Sequence, residues 1–323
     1  MDTHRLHRVL VGLAAFCCAA AAGAASYPAK PVTLVVPFGA GGITDLVARA
    51  TGKALAQQLG QPVIIENKPG AGGNIAAEYL RHAQPDGYTL MFTTMGVVAV
   101  NPHTMKVPFD SFRDFTYVSS VASTPHVIAV NPSVPARTLA DLVALAREKP
   151  ESLSFGTAGV GSSPYQGMKI MEGSTRVTFL HVPFKSGAES VTSVVGNQVN
   201  LTFEATPVVM PFVKSGKLRA LALANAERIP GAPDLPSTAE LGYPDLVSGS
   251  ISGVIGPAAL PRDIVDTLNQ AIQRALRDDQ LKALLAGQGT ATASSTPDEF
   301  RKAVAAEYDR WAQIMKTATL VKN

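Results

Sequence analysis

Two glycine-rich loops carry the residues whose types and spacing could do chemistry. The first spans residues 37–45, with the sequence PFGAGGITD, between a β-rich run and a segment of helical periodicity. Glycines let several backbone N–H groups turn toward one point, and a helix N-terminus adds positive potential there. Such a loop binds an anion without a charged side chain, although an ordinary tight strand-to-helix turn explains the same residues.

The second loop spans residues 156–163, GTAGVGSS, and adds three hydroxyl groups. Two such loops facing each other across a cleft could hold both ends of a dicarboxylate, or one carboxylate and a polar group. A flexible turn is the alternative. Asp45 is discordant near an anion, so we expect it to cap the helix through the amides of Val47 and Ala48. The amides of Gly41, Gly42 and Ile43 would then stay free.

Nucleotide, metal and catalytic chemistry are poorly supported. A P-loop would end in Gly-Lys-Ser/Thr, and a dinucleotide fingerprint would need a third glycine where Thr44 stands. The sequence has no Gly-x-Ser-x-Gly elbow, and its serines show no base partner. The histidines lack metal-like spacing, and two of them, His103 and His126, are expected in polar loops. We therefore predict no catalytic residue, metal or cofactor.

The elements around these loops predict an α/β fold. Residues 32–94 read as βαβαβ, which implies a parallel sheet with right-handed crossovers. A second block contains strands near 127–130, 153–155, 177–182, 199–203 and 218–223, with helices from Thr138, from Ser163 (capped by its own serine) and over 188–195. Further helices begin at Pro261 and after Thr296. Ligands of such sheets sit beyond the C-terminal strand ends.

This pattern predicts a periplasmic-binding-protein-like fold of two lobes, with mainly parallel sheets and two hinge crossings near residues 122 and 228. Lobe 1 comprises residues 26–121 and 229–323, and lobe 2 comprises residues 122–228. The chain has 323 residues, 46% of them hydrophobic and 16% charged, with a net charge of +3. A large packed core is therefore expected, and a nucleic-acid surface is not.

The N-terminus reads as a secretory signal peptide over residues 1–25. Arg5 and Arg8 precede an apolar run over 9–22, and small residues follow. A membrane anchor is disfavoured because the run is shorter than the roughly 20 residues that a bilayer needs. Both cysteines, Cys17 and Cys18, lie inside this segment. The sequence therefore predicts export to the periplasm of a mature chain without thiol chemistry.

Taken together, the motifs resemble the Bug family, the extracytoplasmic receptors of tripartite tricarboxylate transporters. The resemblance covers the whole mature chain, and it rests on the order and spacing of many short motifs. They are PFGAGG at 37–42 with Asp45 and Arg49, ENKPGAGGN at 66–74, PDGYTL at 85–90, Phe109-Asp110 with Asp114-Phe115, HVPFK at 181–185, GNQV at 196–199, GKLRAL at 216–221 and AELG at 239–242.

The resemblance implies a Venus-flytrap receptor, not an enzyme, that closes on a small carboxylic acid. The acid would be a di- or tricarboxylate, an acidic amino acid or an aromatic acid, held largely by backbone groups of the first loop. The expected ligand-binding residues are Phe38, Ala40, Gly41, Gly42, Asp45, Thr94, Met95, Gly161, Ser162, Ser163, Tyr165 and Glu204. The expected partners are membrane permease subunits, and the receptor itself is expected to be a monomer.

The chain departs from the family pattern mainly in lobe 2. Tyr165 stands where histidine is frequent, Phe184 where tyrosine is common, and Glu204 near a usual aspartate. Ile251-Ser252 replaces a frequent tryptophan. Loss of a hydroxyl at Phe184 favours a less polar or aromatic acid. Two other functions stay open: a sensor that docks on a kinase, and a periplasmic hydrolase, which would need a nucleophile beside a base.

Overall fold

The computed structural model describes residues 27–317 of the chain, so the predicted signal peptide lies outside the described residues. Ten strands and ten α-helices follow one another in this part of the chain, with a 3₁₀ turn at Ala71–Gly73 and a π-helix at Gly96–Val100. The strands are β1 Val32–Val36, β2 Val63–Asn67, β3 Thr89–Thr94, β4 Phe115–Val130, β5 Ser154–Thr157, β6 Leu180–Pro183, β7 Leu201–Ala205, β8 Arg219–Ala224, β9 Gly249–Pro257 and β10 Ala291–Thr292. The helices are α1 Ile43–Leu59, α2 Asn74–Arg81, α3 Asn101–Thr104, α4 Leu139–Glu148, α5 Ser163–Thr175, α6 Gly187–Val195, α7 Thr206–Lys214, α8 Arg262–Leu276, α9 Asp279–Gly287 and α10 Pro297–Thr317.

The first lobe is built on the predicted parallel βαβαβ unit. Strand β1 pairs in parallel with β2 and β3, and β9 adds an antiparallel strand beside β3. Four of the five residues of β1 are buried, because helices cover both faces of the sheet. Helices α1 and α8 pack together on one face, and α2 and the π-helix cover the other with α10.

Strand β4 links this sheet to a second one. Its residues 115–125 pair with β9, and its residues 126–130 pair with β7 and β8. In the second sheet β5 lies in parallel between β6 and β7. The C-terminal ends of β1 and β3 therefore face those of β5 and β7 across one boundary between the lobes.

Several sequence predictions need correction. The strand expected at 127–130 is the end of the 16-residue β4, and the strand expected from residue 177 begins at Leu180. His126 lies fully buried in β4 and not in a polar loop. His103 lies in the short helix α3, where its ring contacts Tyr308 at a centroid distance of 4.1 Å.

Helix starts follow the local signals at two of three positions. Thr138 and Asp141 form a complete capping box at α4, and Thr296 and Glu299 exchange the same pair of bonds at α10. The predicted serine cap of α5 is wrong. Helix α5 begins at Ser163, and Ser162 occupies the cap position without a side-chain cap bond, because its hydroxyl donates back to the carbonyl of Gly159.

None of the helices in residues 27–317 combines the length and the apolar character that crossing a bilayer requires.

Two glycines of α5 provide a test of the packing between α5 and β7. A methyl group at Gly167 would overlap the ring of Phe203 and the hydroxyl of Ser248, whereas one at Gly173 would meet nothing within 4 Å. We expect Gly167→Ala to destabilise the protein by roughly 1–3 kcal/mol through overpacking. Gly173→Ala should stabilise it by up to about 1 kcal/mol through helix propensity. Urea unfolding of both variants checks this, and equal effects would contradict the packing described.

Candidate functional site

The first glycine loop lies between β1 and α1, with its backbone at the lobe boundary. Phe38 turns its side chain into the core of lobe 1, and its carbonyl accepts a bond from Asn67 Nδ2 at 2.9 Å. Gly41 has a positive φ of 81°, which other residues adopt only with strain. Ala40 is exposed. The loop thus presents backbone, and not side chains, to lobe 2.

The prediction that Asp45 caps α1 through the amides of Val47 and Ala48 is wrong. Its Oδ2 accepts the amide of Gly41 at 2.9 Å and Nε of Arg49 at 2.9 Å, and its Oδ1 accepts Nδ2 of Asn67 at 2.9 Å. Burial opposes ionisation of Asp45, but the bonds from Arg49, Gly41 and Asn67 outweigh it and hold its pKa below the usual value. The carboxylate is therefore ionised and locally compensated, and it binds one of the amides that we expected to be free.

Two further amides of the loop remain unpaired. The N-cap residue of α1 is Gly42, which has an extended backbone conformation. Since glycine has no side chain, α1 lacks a side-chain cap. Within residues 27–317, the amides of Gly42 and Ile43 have no hydrogen-bond acceptor. Because both residues are buried, these amides and the helix dipole leave a positive potential at the N-terminus of α1 that no group of the chain compensates.

Backbone meets backbone where the two lobes touch. The amide of Gly39 donates to the carbonyl of Lys185 at 3.0 Å. A methyl group at Gly41 would lie 3.2 Å from Cβ of Ala188, and one at Gly42 would lie 3.4 Å from the nitrogen of Gly187. The N-terminus of α1 therefore faces the N-terminus of α6, and the structure is a closed form.

A second contact joins the segments that follow β2 and β3 to the loop that follows β5. A methyl group at Gly72 would lie 2.9 Å from the nitrogen of Gly161, and one at Gly96 would overlap the carbonyl of Gly161. Met95 and Ser163 line a cavity of about 600 Å³ beside this contact, together with Gly96, Gln166 and residues of β9 and α10. The structure thus brings Met95 and Gly161–Ser163 together, as the sequence predicted.

Unpartnered polar atoms mark this boundary. Within the described residues, Thr94 Oγ1, Asn101 Oδ1 and Gln166 Nε2 are buried without a hydrogen-bond partner. They are three of nine such atoms in the described residues, and because buried polar groups are nearly always satisfied, a polar molecule bound at this boundary could supply their partners. Thr94 was among the predicted residues. Gln166 and Asn101 were not, and neither lies in a motif that would have identified it.

The serine hydroxyls of the second loop are already engaged. Ser162 Oγ donates to the carbonyl of Gly159 at 2.6 Å, and Ser163 Oγ lies 3.2 Å from Nε2 of His126. The other ring nitrogen, Nδ1, lies 3.0 Å from Oγ of Ser248. His126 therefore fixes Ser163 from the hinge strand β4.

The expectation that no serine has a base partner is thus corrected. Burial lowers the pKa of His126 to about 3, so the imidazole stays neutral and holds a proton poorly. An efficient general base has a pKa near the working pH, and the group behind this imidazole is the hydroxyl of Ser248, not a carboxylate. The pair positions Ser163 and does not activate it.

Tyr165 and Phe184 pack within lobe 2. The ring of Tyr165 lies 4.7 Å from that of His181 and 6.4 Å from that of Phe155. The ring of Phe184 covers Gly156. Nε2 of His181 lies 2.8 Å from Oγ1 of Thr157. Burial lowers the pKa of His181 to about 4, and Lys169 makes a smaller contribution in the same direction. The ring of Tyr165 thus contacts the lobe-2 core, whereas Phe184 packs against the cluster that contains Ile43 and Val191.

Glu204 lies at the end of β7 and is only 2% exposed. Its Oε1 accepts the amide of Ala205 at 2.8 Å, and its Oε2 lies so close to Gly187 that a methyl group there would overlap it. Burial raises the pKa of Glu204 to about 7, and the Ala205 bond offsets this only in part. A carboxyl group that titrates near neutrality therefore lies directly behind the contact between α1 and α6.

Residues 27–317 contain no cluster of three or more His, Cys, Asp or Glu that could hold a metal ion. What the site offers is backbone amides, unpaired hydroxyl and amide groups, and one buried carboxyl. This combination suits binding of a small oxyanion.

Comparison with known proteins identifies relatives with the same architecture. Residues 47–320 match the family described as TctC, tripartite tricarboxylate transporter family receptor. The solved structure of the periplasmic binding protein BugD is 30% identical, with a TM-score of 0.88 over 92% of this chain and 100% of that one. The expected two-lobed, periplasmic-binding-protein-like fold is confirmed.

Two similar structures contain acids. Rpa4515 of R. palustris with adipate is 34% identical, with a TM-score of 0.86 over 90% of this chain and 98% of that one. MatC of Rhodopseudomonas palustris with bound malate is 31% identical, with a TM-score of 0.85 over 90% of this chain and 100% of that one. Members of this family are substrate-binding receptors and not enzymes.

The raised pKa of Glu204 predicts a pH-dependent stability. Since the pKa is about 7 in the folded protein and 4.5 in the ordinary state, the neutral group contributes stability below pH 4.5 that is lost as the pH rises through 7. Glu204→Gln cannot ionise, so its free energy of unfolding does not decrease in this way. Relative to the wild type, the variant should become more stable by roughly 3 kcal/mol as the pH rises from 4.5 to 7. Urea unfolding of both proteins at a series of pH values measures this difference. A constant difference across the series would contradict the assignment.

Proposed function

Because the chain belongs to the tripartite tricarboxylate transporter receptor family, we propose that it captures a small carboxylic acid in the periplasm and delivers it to the permease of such a transporter. The observation that carries this proposal is the uncapped N-terminus of α1, whose free amides at Gly42 and Ile43 face lobe 2. A carboxylate is the ligand that such a site accepts without a charged side chain.

The structural relatives support a carboxylic acid as ligand. Rpa4515 was solved with adipate and MatC with malate, and both share the fold over nine-tenths of this chain. These acids differ in length and polarity, so the shared feature is a carboxylate. In this chain the corresponding recognition would fall to the backbone of residues 38–43.

The rest of the acid would lie between Thr94–Met95 and residues 161–166. The unpartnered atoms Thr94 Oγ1 and Gln166 Nε2 offer it hydrogen bonds, and Glu204 would close the site from lobe 2. We extend the predicted set with Gln166 and treat Tyr165 as a support of α5, because its ring lies on the lobe-2 core.

Closure would follow from the same contacts. In an open form the acid would bind to the loop of lobe 1 first. Lobe 2 would then rotate about β4 and β9, which we propose as the hinges; the second crossing would then lie near Gly249 and not near residue 228, because Leu246 packs in the core of lobe 2. The bond from Gly39 to Lys185 would fasten the closed form, which is the form that a permease would recognise.

Export to the periplasm would require removal of residues 1–25 as a signal peptide. We expect the intact mass of the protein recovered from a periplasmic extract to correspond to a chain that begins within residues 25–27. A recovered mass that includes Arg5 and Arg8 would contradict cleavage.

A thermal-shift panel tests the ligand class. Mono-, di-, tri- and aromatic carboxylates, with adipate and malate among them, are added to the mature protein at high concentration. An acid present at about 100 times its Kd should stabilise the protein by roughly 2.7 kcal/mol. If every acid leaves the melting temperature unchanged, the proposed function is wrong.

Gly41→Ala tests the role of the first loop, with Gly60→Ala as the matched control. Both glycines have a positive φ, 81° and 66°, but only the methyl group at Gly41 would meet the other lobe, at Ala188. We expect both variants to lose about 1–2 kcal/mol of stability from backbone strain. Calorimetry with the best acid of the panel should show a loss of about tenfold or more in affinity for Gly41→Ala only. Equal affinities would place the ligand away from this loop.

A further inference from the structure

Glu204 is a buried carboxyl group without a compensating cation. Its Oε1 accepts a single bond, from the amide of Ala205 at 2.8 Å. Its Oε2 lies against Cα of Gly187, the first residue of α6. A buried carboxylate that has so few partners is unfavourable in ionised form.

Its position relates it to the anion site of lobe 1. Gly187 is the residue that Gly42 faces, and Gly42 is the cap of α1. Glu204 is therefore separated from the free amides of α1 by one glycine backbone. An acid bound at those amides would place its negative charge in the same water-poor region as the Glu204 carboxyl.

No charged side chain on the surrounding elements neutralises Glu204. Strand β7 packs against β4, β5, α5, α6 and α7. The charged and titratable groups of these elements and of the facing loops are Tyr117, His126, Tyr165, Lys169, Glu172, Lys185, Glu189, Lys214, Asp45 and Arg49. In the part of the chain that the structure describes, none of them bonds or ion-pairs with Glu204. Lys169 pairs with Glu172, and Arg49 pairs with Asp45.

Two carboxylates cannot both remain ionised in such a site unless a cation joins them. An ammonium group on the ligand could serve, but the N-termini of α1 and α6 both point their positive ends at this place, which disfavours a cation. A proton on Glu204 resolves the conflict. The neutral carboxyl group then places no second negative charge beside the bound carboxylate.

We propose that the receptor takes up one proton from solvent on Glu204 when it binds its acid, and that the site thereby favours ligands that present no ammonium group to lobe 2. This rests on the proposed function and narrows it away from acidic amino acids. The proton moves from a buffer acid to the Glu204 carboxylate, and no covalent bond of the ligand changes.

The sign of the effect follows from the titration of the free protein. Its Glu204 has a pKa raised to about 7 by burial, and the bound acid raises the pKa further. Binding near pH 5.5 therefore takes up almost no proton, because Glu204 is already neutral. Binding near pH 8 takes up about one proton, and Kd rises by up to about tenfold per pH unit above 7.

Isothermal titration calorimetry with adipate or malate, repeated in two buffers of different ionisation enthalpy, measures the number of protons taken up. The number follows from the difference in binding enthalpy between the two buffers. We expect about one proton at pH 8 and nearly none at pH 5.5 for the wild type. Glu204→Gln should bind with no proton uptake and no change of Kd between the two pH values. Glu172→Gln, which alters a paired glutamate of the same lobe, should behave as the wild type.

Binding of adipate or malate at pH 8 without proton exchange would overturn the inference and leave the proposed function standing. Binding of aspartate or glutamate that is tighter than that of adipate and malate, and that releases a proton, would also overturn the inference. If no acid binds at either pH, the proposed function fails, and the inference fails with it. The wild-type proton count decides the matter even where Glu204→Gln folds poorly.

Discussion

The closed structure depends on backbone meeting backbone across the lobe boundary. Gly39 bonds directly to the carbonyl of Lys185, and Gly42 faces Gly187 with no space between them for a larger side chain. This approach excludes charged side chains from the contact. Recognition of a negative group would therefore fall to amide dipoles and to the end of α1.

Asp45 shows how a negative residue can support an anion site. Its carboxylate holds Gly41, Arg49 and Asn67 at 2.9 Å each, so its charge is compensated by a cation that is half exposed on the outer side. The same bonds fix the turn of the loop. Asp45 thus shapes the backbone that would bind the ligand, and its own charge is largely neutralised before the ligand arrives.

Local patterns in the sequence predicted most of the helices and strands. They did not predict interactions between residues that are distant in the sequence. Capping residues identified α4 and α10, and the βαβαβ unit followed from β-rich runs between glycine loops. Strand β4 was partly missed because Ser119, Ser120, Ser123 and Thr124 interrupt its apolar pattern, although all four pair with β9 in the sheet. The partner of Asp45 could have been anticipated, since Arg49 follows one helical turn later.

The pairing of Ser163 with His126 could not be foreseen, because it depends on the register of β4 against β7 and on the packing of α5. It also changes the character of lobe 2. His126 and His181 are both kept neutral by burial, and Glu204 has no cation beside it. Because neither buried histidine supplies positive charge, the attraction for an acid would come from backbone amides and helix N-termini, above all from the uncapped N-terminus of α1 in lobe 1. Lobe 2 would then discriminate among acids by hydrogen bonds and shape. A hinged receptor with this arrangement would bind an acid to lobe 1 first and select among acids when the lobes close.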